Sequence, residues 1–255
     1  MSSVPPRPRA GASTDYSSKD YWTARFEREQ TFEWLTPSSS FLPHITRALD
    51  DFSSKPVRII HIGCGNSEFS LDLRQLVEQL HVASNIETIN VDYSAPVLER
   101  MQDAEIARFG DSIMEWRALD LLDWTSMGQH FPSPGNSIVV DKSCADAIAC
   151  GPDVRTPLFA GGTKSVHPTE VLALHLAALT TPGSIWVAIS YSTGRFDFLA
   201  PQDKQKYQAC NFWQLERTER ILSHTEAREN VYAPEVYHTL FVLKRTSRTL
   251  EQMQG

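Results

Sequence analysis

The apolar and polar positions of this chain alternate between a helical and an extended period. After a polar start, Ser17–Gln30 sets Tyr21, Trp22, Arg25 and Phe26 on one helical stripe, with Ser17 or Ser18 as its cap. A loop and a second helix follow, in which Phe41, Ile45 and Leu49 recur every four residues and Ser38, Ser39 and Ser40 offer the cap. Then strands and helices interleave. Val57–Ile62 reads as a strand, Asn66–Leu80 as a helix, Ile86–Asp92 as a strand, and Ser94–Phe109 as a helix with Pro96 in its first turn. Ile113–Leu119 and Asn136–Asp141 are strands, Cys144–Cys150 a short helix, Pro168–Thr180 a longer one, and Ser184–Tyr191 a fifth strand. Two extended runs, Phe212–Ile221 and Val236–Lys244, close the chain across a polar loop.

Five strands alternating with helices predict a mostly parallel sheet covered on both faces. The last two runs add an antiparallel hairpin at its edge, which makes a doubly wound, seven-stranded α/β fold. Gly151–Ser165 is too polar and broken to form an element, and a loop of that length is expected to act as a lid or substrate wall. The expected organisation is a disordered tail over residues 1–16 and a single domain over 17–255, with the helices of 17–52 leaning over its site.

Composition narrows the partners. The 255 residues are 41% hydrophobic and 22% charged, enough for a substantial core, and carry a formal net charge of −7. An acidic surface disfavours nucleic acid and anionic membranes, and no apolar run is long enough to span a bilayer. The four cysteines lie far apart without a CxxC pair, so neither a metal centre nor a disulfide framework is expected. Free thiols and the lack of a secretory signal point to the cytoplasm.

The chemistry concentrates where the first strand ends, in Ile59-Ile60-His61-Ile62-Gly63-Cys64-Gly65-Asn66-Ser67. In an open parallel sheet, ligands sit at the carboxyl ends of the strands. Gly63 permits a tight turn, Gly65 removes a side chain that would block a ligand, and the amides that follow attract polar groups. The second strand ends in Asp92, where a ribose would find a bidentate acceptor. A dinucleotide would want a third glycine where Glu68 stands, and no Walker lysine follows. An adenosine without phosphates, bearing a sulfonium and an amino-acid tail, suits such an acid-rich site: S-adenosylmethionine.

The sequences Gly63-Cys64-Gly65-Asn66-Ser67, Val91-Asp92-Tyr93-Ser94, Trp116 with Asp120, and Val139-Val140-Asp141-Lys142-Ser143-Cys144 together resemble the class I methyltransferases. With Tyr21-Trp22, Arg25-Phe26 and Phe32-Glu33-Trp34 ahead of them, they resemble the branch that holds the elongation-factor-1A lysine methyltransferases. The resemblance implies a Rossmann-like fold and S-adenosylmethionine as cofactor. It places Gly63, Cys64 and Gly65, with Asn66 beside them, under the methionine part, Asp92 on the ribose, Tyr93 on the adenine, and Asp120 and Leu121 at the adenine edge. It puts Asp141 near the methionine ammonium or the acceptor, and Trp22, Arg25 and Trp34 over the cofactor. Asp141 and Tyr191 are the expected catalytic residues, with Asp146 and His167 as further candidates near the strand ends. Duller readings stand beside these: Asp120 as a turn residue, the tryptophans as core, His61 as a packed histidine and His167 as a helix-cap neighbour. The expected acceptor is a protein lysine, the alternative a small molecule methylated on O, N or S.

Overall fold

The structure, a computed structural model, describes residues 14–52, 55–80, 85–158, 165–200, 207–223 and 235–249. The expected tail falls almost wholly outside them, as does the middle of the Gly151–Ser165 segment. Two helices, α1 (Lys19–Arg28) and α2 (Ser38–Asp50), precede β1 (Val57–Ile62), α3 (Phe69–Gln79), β2 (Ile86–Asp92), α4 (Ala95–Phe109) and β3 (Glu115–Ala118). Next come α5 (Trp124–His130), β4 (Ser137–Lys142), α6 (Cys144–Ile148), β5 (Val154–Arg155) and β6 (Ser165–Val166). The chain continues with α7 (Pro168–Leu179), β7 (Ile185–Ser190), β8 (Trp213–Leu222) and β9 (Tyr237–Arg245).

Seven strands form one sheet in the order β3-β2-β1-β4-β7-β9-β8, parallel up to β7 and antiparallel from there. The expected class is therefore correct: a doubly wound, mostly parallel sheet of seven strands. The hairpin enters differently from the expectation, because β9 slots between β7 and β8 and, of its two strands, only β8 lies at an edge. Burial explains the choice. Leu240, Phe241 and Leu243 of β9 are buried, whereas most of β8 is exposed.

One face of the sheet packs Ile60, Ile62, Val139, Trp186 and Phe241 against α7, a helix apolar on every side and buried accordingly. The other face packs Ile59, Val140, Val187 and Leu240 against Phe41 and Ile45 of α2 and Phe69 and Leu73 of α3. Trp213 anchors the hairpin to the first layer, its indole N–H donating to the Ala173 carbonyl at 2.8 Å.

Several elements depart from expectation for local reasons. No serine side chain caps α2; Pro37 takes that position and Ser38 begins the helix. Residues 66–68 stay outside α3 because their polar groups are engaged elsewhere: Asn66 Nδ2 donates to the Glu29 carbonyl, and Ser67 Oγ donates to Glu33 Oε1. Ile113 and Met114 stay outside β3 because Glu105 Oε1 accepts from both amides at 3.1 Å. The Gly151–Ser165 segment is not wholly irregular, since Val154–Arg155 pairs antiparallel with Ser165–Val166. A two-residue ladder is too short to leave an alternating pattern. Helix α5 also went unforeseen, and its cap is Asp123, whose side chain accepts from the Thr125 amide.

Candidate functional site

The strand order reverses between β1 and β4, and their carboxyl ends open into a cavity of about 520 Å³, within the size range of small-molecule sites. The floor is the turn after β1. Gly63 and Gly65 both adopt left-handed φ, +58° and +52°. A Cβ on Gly63 would stand 2.6 Å from Cys144 Sγ, and one on Gly65 would stand 3.1 Å from Phe26 Cζ. The second distance amends the expected role of Gly65: its bare backbone admits an aromatic ring of α1, which closes the turn from above.

Asp92, at the tip of β2, is buried and lines the cavity. Its Oδ2 accepts from the Gly65 amide at 3.0 Å and its Oδ1 from the Ser94 amide at 2.9 Å. Burial pushes its carboxyl up to about 6, against the opposing pull of those amides. Each oxygen keeps a lone pair beyond these bonds, so the carboxylate locks the glycine turn to β2 and can still accept from a ligand hydroxyl. Tyr93 lines the wall next to it, its phenol donating to the Ser18 carbonyl at 3.4 Å. Asp120 and Leu121 line the same end. Asp120 is exposed and accepts the Leu122 amide at 2.8 Å, so the turn reading holds together with its place in the wall.

The roof comes from the N-terminal segment. Trp22 and Trp34 line the cavity with ring centroids 5.6 Å apart, and the Trp22 indole donates to the Tyr16 carbonyl at 2.7 Å. Arg25 does not line the cavity, contrary to expectation. Its guanidinium donates to Glu29 and Tyr21 and lies 4.5 Å from the Phe32 ring centroid and 4.9 Å from that of Trp34. It therefore braces the aromatic roof from behind.

Asp141 is also outside the lining. Its Oδ1 accepts from the amides of Cys144 and Ala145 at 2.8 and 3.2 Å, capping the start of α6, and burial raises its carboxyl to about 7. The chain leaves β4 through Ser143 at φ +74°, an uncommon conformation for a non-glycine residue. Tyr191 does line the cavity; it is 58% exposed and takes a hydrogen bond from Arg195 at 3.4 Å. Asp146 sits behind it, accepting from Ser143, Ser190, Arg195 and the Tyr191 amide. His167 caps α7. His61 bonds Ser70 at 2.9 Å, and its burial near Lys142 lowers it to about 3, so it is a neutral packed ring.

Sequence reasoning missed the pairing of Glu33 with Lys142. Lys142 is buried and pairs with Glu33 Oε2, while Glu33 Oε1 accepts from Ser67 Oγ at 2.7 Å and from the Glu68 amide at 2.8 Å. Glu33 stood between two aromatics in Phe32-Glu33-Trp34, and an acid in so apolar a setting was the available signal.

No protein-family model matches the chain. A methyltransferase of Neurospora crassa, srdJ, is 31% identical over 244 residues, covering 96% of this chain and 88% of that one. The chain belongs to the methyltransferase family, and its seven-stranded sheet is that of the class I, S-adenosylmethionine-dependent fold. Human eEF1A lysine and N-terminal methyltransferase is 27% identical over 147 residues, which is 57% of this chain but only 18% of that protein. Mouse EEF1A lysine methyltransferase 4 is 27% identical over 188 residues, 71% of this chain and 64% of that one. Among solved structures, a methyltransferase from Anabaena variabilis superposes with a TM-score of 0.51 at 14% identity, covering 88% of this chain and 92% of that one. An enzyme that converts a disulfide into a thioacetal during echinomycin biosynthesis reaches 0.57 at 15% identity, over 92% and 96%. No helix among the described residues is long and apolar enough to cross a membrane.

Proposed function

We propose that this chain transfers the methyl group of S-adenosylmethionine to a small, largely uncharged acceptor. The residues present suit that cofactor: a glycine turn in which a Cβ would crowd Cys144 or Phe26, a buried carboxylate for a ribose, and mostly aromatic and aliphatic walls in which Lys142 is already paired with Glu33. Asp92 would hold the ribose hydroxyls, Tyr93, Asp120 and Leu121 the adenine, and Gly63, Cys64, Gly65 and Asn66 the methionine part, with Trp22 and Trp34 above. When bound, the sulfonium supplies an activated methyl group with a good leaving group. The protein's task is then alignment, exclusion of water and orientation of the acceptor's lone pair.

The carrying observation is the charge state of the cavity wall. Its carboxylates among the described residues are Asp92, Asp120 and Asp146. Asp92 holds two amides, Asp120 lies at the nucleoside end, and Asp146 is spent on Arg195. No free carboxylate among the described residues of the wall remains near Tyr191 to draw a proton from a lysine ammonium, and Asp141 is turned to α6. Tyr191, exposed in the lining, would orient an acceptor, while the apolar Ile148 and Pro152 favour an apolar body.

A protein-lysine acceptor is the second reading. The similarity to EEF1A lysine methyltransferase 4 over 71% of this chain favours it. Incubating the purified chain with heavy-methyl cofactor and a cell extract separates the two. Label in the small-molecule fraction supports the first reading, and label confined to protein lysines overturns it.

A further inference from the structure

We propose that the free edge of β8 pairs antiparallel with the same strand of a second copy, joining two sheets into one across a twofold axis. Among the described residues β8 has a partner on one side only, β9, and it is ten residues long. An edge of that length exposes unpaired backbone amides and carbonyls, which folded proteins ordinarily cover or blunt.

The strand's sequence is its own complement. Its middle reads Leu215-Glu216-Arg217-Thr218-Glu219-Arg220-Ile221. An antiparallel pairing centred on Thr218 sets Arg217 opposite Glu219 of the second copy and Glu216 opposite its Arg220. It also sets Leu215 opposite Ile221. Twofold symmetry repeats each pair; the two Arg217–Glu219 pairs lie in the regular part of the strand, and the Glu216–Arg220 and Leu215–Ile221 pairs reach across the bulge between Leu215 and Arg217. A twofold interface requires this self-complementarity, and opposite charges directly across a ladder stabilise it whereas like charges weaken it. Shifting the register by two residues in total residue number, to a centre on Arg217 or Glu219, puts like charges face to face at the axis.

Within one chain these charges are only partly used. Arg217 reaches Glu219 at 2.8 Å along the strand, Glu219 also lies 3.9 Å from His44, Glu216 lies 3.7 Å from Lys244, and Arg220 lies 4.2 Å from the exposed Tyr237 ring centroid, while Glu219 and Glu216 stay 36% and 39% exposed. The apolar surface agrees. Leu215, Leu222, Val236 and Tyr237, all on this hairpin, are half of the large hydrophobic residues left exposed among those described. A register shift between Leu215 and Arg217 bends the strand there, so the ladder is most regular from Arg217 to Leu222.

The test is sedimentation equilibrium of the full chain over a range of concentrations, with Arg217→Glu, the swapped pair Arg217→Glu/Glu219→Arg, and Arg220→Glu beside the wild type. The wild type is expected to dimerise. Arg217→Glu sets like charges across the axis twice and is expected to weaken the dimer about tenfold or more. The swap restores the complement and the association. Arg220→Glu, on the other face of the strand, gives the same weakening and stands in if the first variant does not fold. A wild type that stays monomeric at every concentration overturns the proposal, as does a dimer indifferent to both single reversals.

Discussion

Glu33, in the loop between α1 and α2, forms an ion pair with Lys142 at the end of β4, deep beneath the roof of the cavity. The same carboxylate holds Ser67 and the Glu68 amide just past the glycine turn. One side chain thus ties together the N-terminal segment, the first strand's turn and the fourth strand's end. The Lys142 side chain is 3% exposed, and burial lowers its pKa while Glu33 opposes that shift. Removing Glu33 leaves a buried ammonium with no carboxylate, a loss of about 3 kcal/mol. Glu33→Ala should therefore lower the thermal midpoint by several degrees. The double variant Glu33→Ala/Lys142→Met should recover most of it, because no buried charge is then left alone. Melts of the two variants against the wild type check this; equal destabilisation in both would refute the pairing argument.

Asp92 links stability and ligand affinity to pH in opposite directions. Its carboxyl sits at about 6 in the folded chain against an ordinary 3.8. Between those values the folded state holds more protons than the unfolded one, so Asp92 makes the unliganded fold less stable as pH rises from about 4 to about 6. The ionised form is the better acceptor for ribose hydroxyls, so cofactor affinity should be level above pH 6 and fall below it, by up to about tenfold per unit. Asp92→Asn should remove the pH dependence and weaken binding about tenfold to a hundredfold, as expected when hydrogen bonds to a charged group are lost. Calorimetric titration with the cofactor from pH 5 to 8 reads both effects. An Asn variant with unchanged affinity would sink the role given to Asp92.

The sheet was legible because β7 is a nearly continuous apolar run and β1 and β4 carry the apolar blocks Ile59-Ile60 and Ile138-Val139-Val140, the mark of strands buried on both faces. The glycine turn and Asp92 were legible because backbone conformation and a strand-end acid are local properties. What escaped depended on distant partners. Arg25 was expected over the cofactor, but the rings of Phe32 and Trp34 and the carboxylate of Glu29 hold it behind the roof. Asp141 was expected at the reacting centre, but two free amides at the start of α6 lie closer. Glu33 and Lys142 are 109 residues apart, and no periodicity announces such a pair. Likewise, the placement of β9 inside β8 follows from which strand is apolar on both faces, a comparison that pairing at a hairpin turn alone does not make.

Gly63 offers a test of the turn that separates strain from collision. At φ +58° any side chain is disfavoured, and a Cβ there would also meet Cys144 Sγ at 2.6 Å. Gly110 has φ +90° at the end of α4 with nothing within 4 Å of an added Cβ. Gly110→Ala should cost about 1 kcal/mol from backbone strain, whereas Gly63→Ala should cost about 1–3 kcal/mol more from the overlap. Cys144→Ala in the Gly63→Ala background should return part of the second cost and none of the first. Denaturant unfolding of the four proteins measures each step, and a Gly63→Ala variant as stable as Gly110→Ala would show that Cys144 does not press on the turn.

The three thiols around the cavity should differ in reactivity, since only the thiolate attacks an alkylating reagent. Burial pushes Cys64 and Cys144 well above the ordinary thiol value, with the nearby Asp92 and Asp141 acting in the same direction. Cys150 is exposed at the cavity rim, its Sγ within 3.4 Å of the Asp146 carbonyl. Iodoacetamide at pH 7.5 should therefore modify Cys150 first, the half-buried Cys144 of the cavity wall more slowly, and the buried Cys64 only as the protein unfolds. Peptide mapping by mass spectrometry over time gives the order. Saturating S-adenosylhomocysteine should slow the two inner cysteines further, because it would stabilise the roof that covers them, and should alter Cys150 far less. Fast alkylation of Cys144 in the folded, unliganded chain would mean that the roof opens on the timescale of the reaction and that the closed arrangement of Trp22, Phe26 and Trp34 is not the resting one.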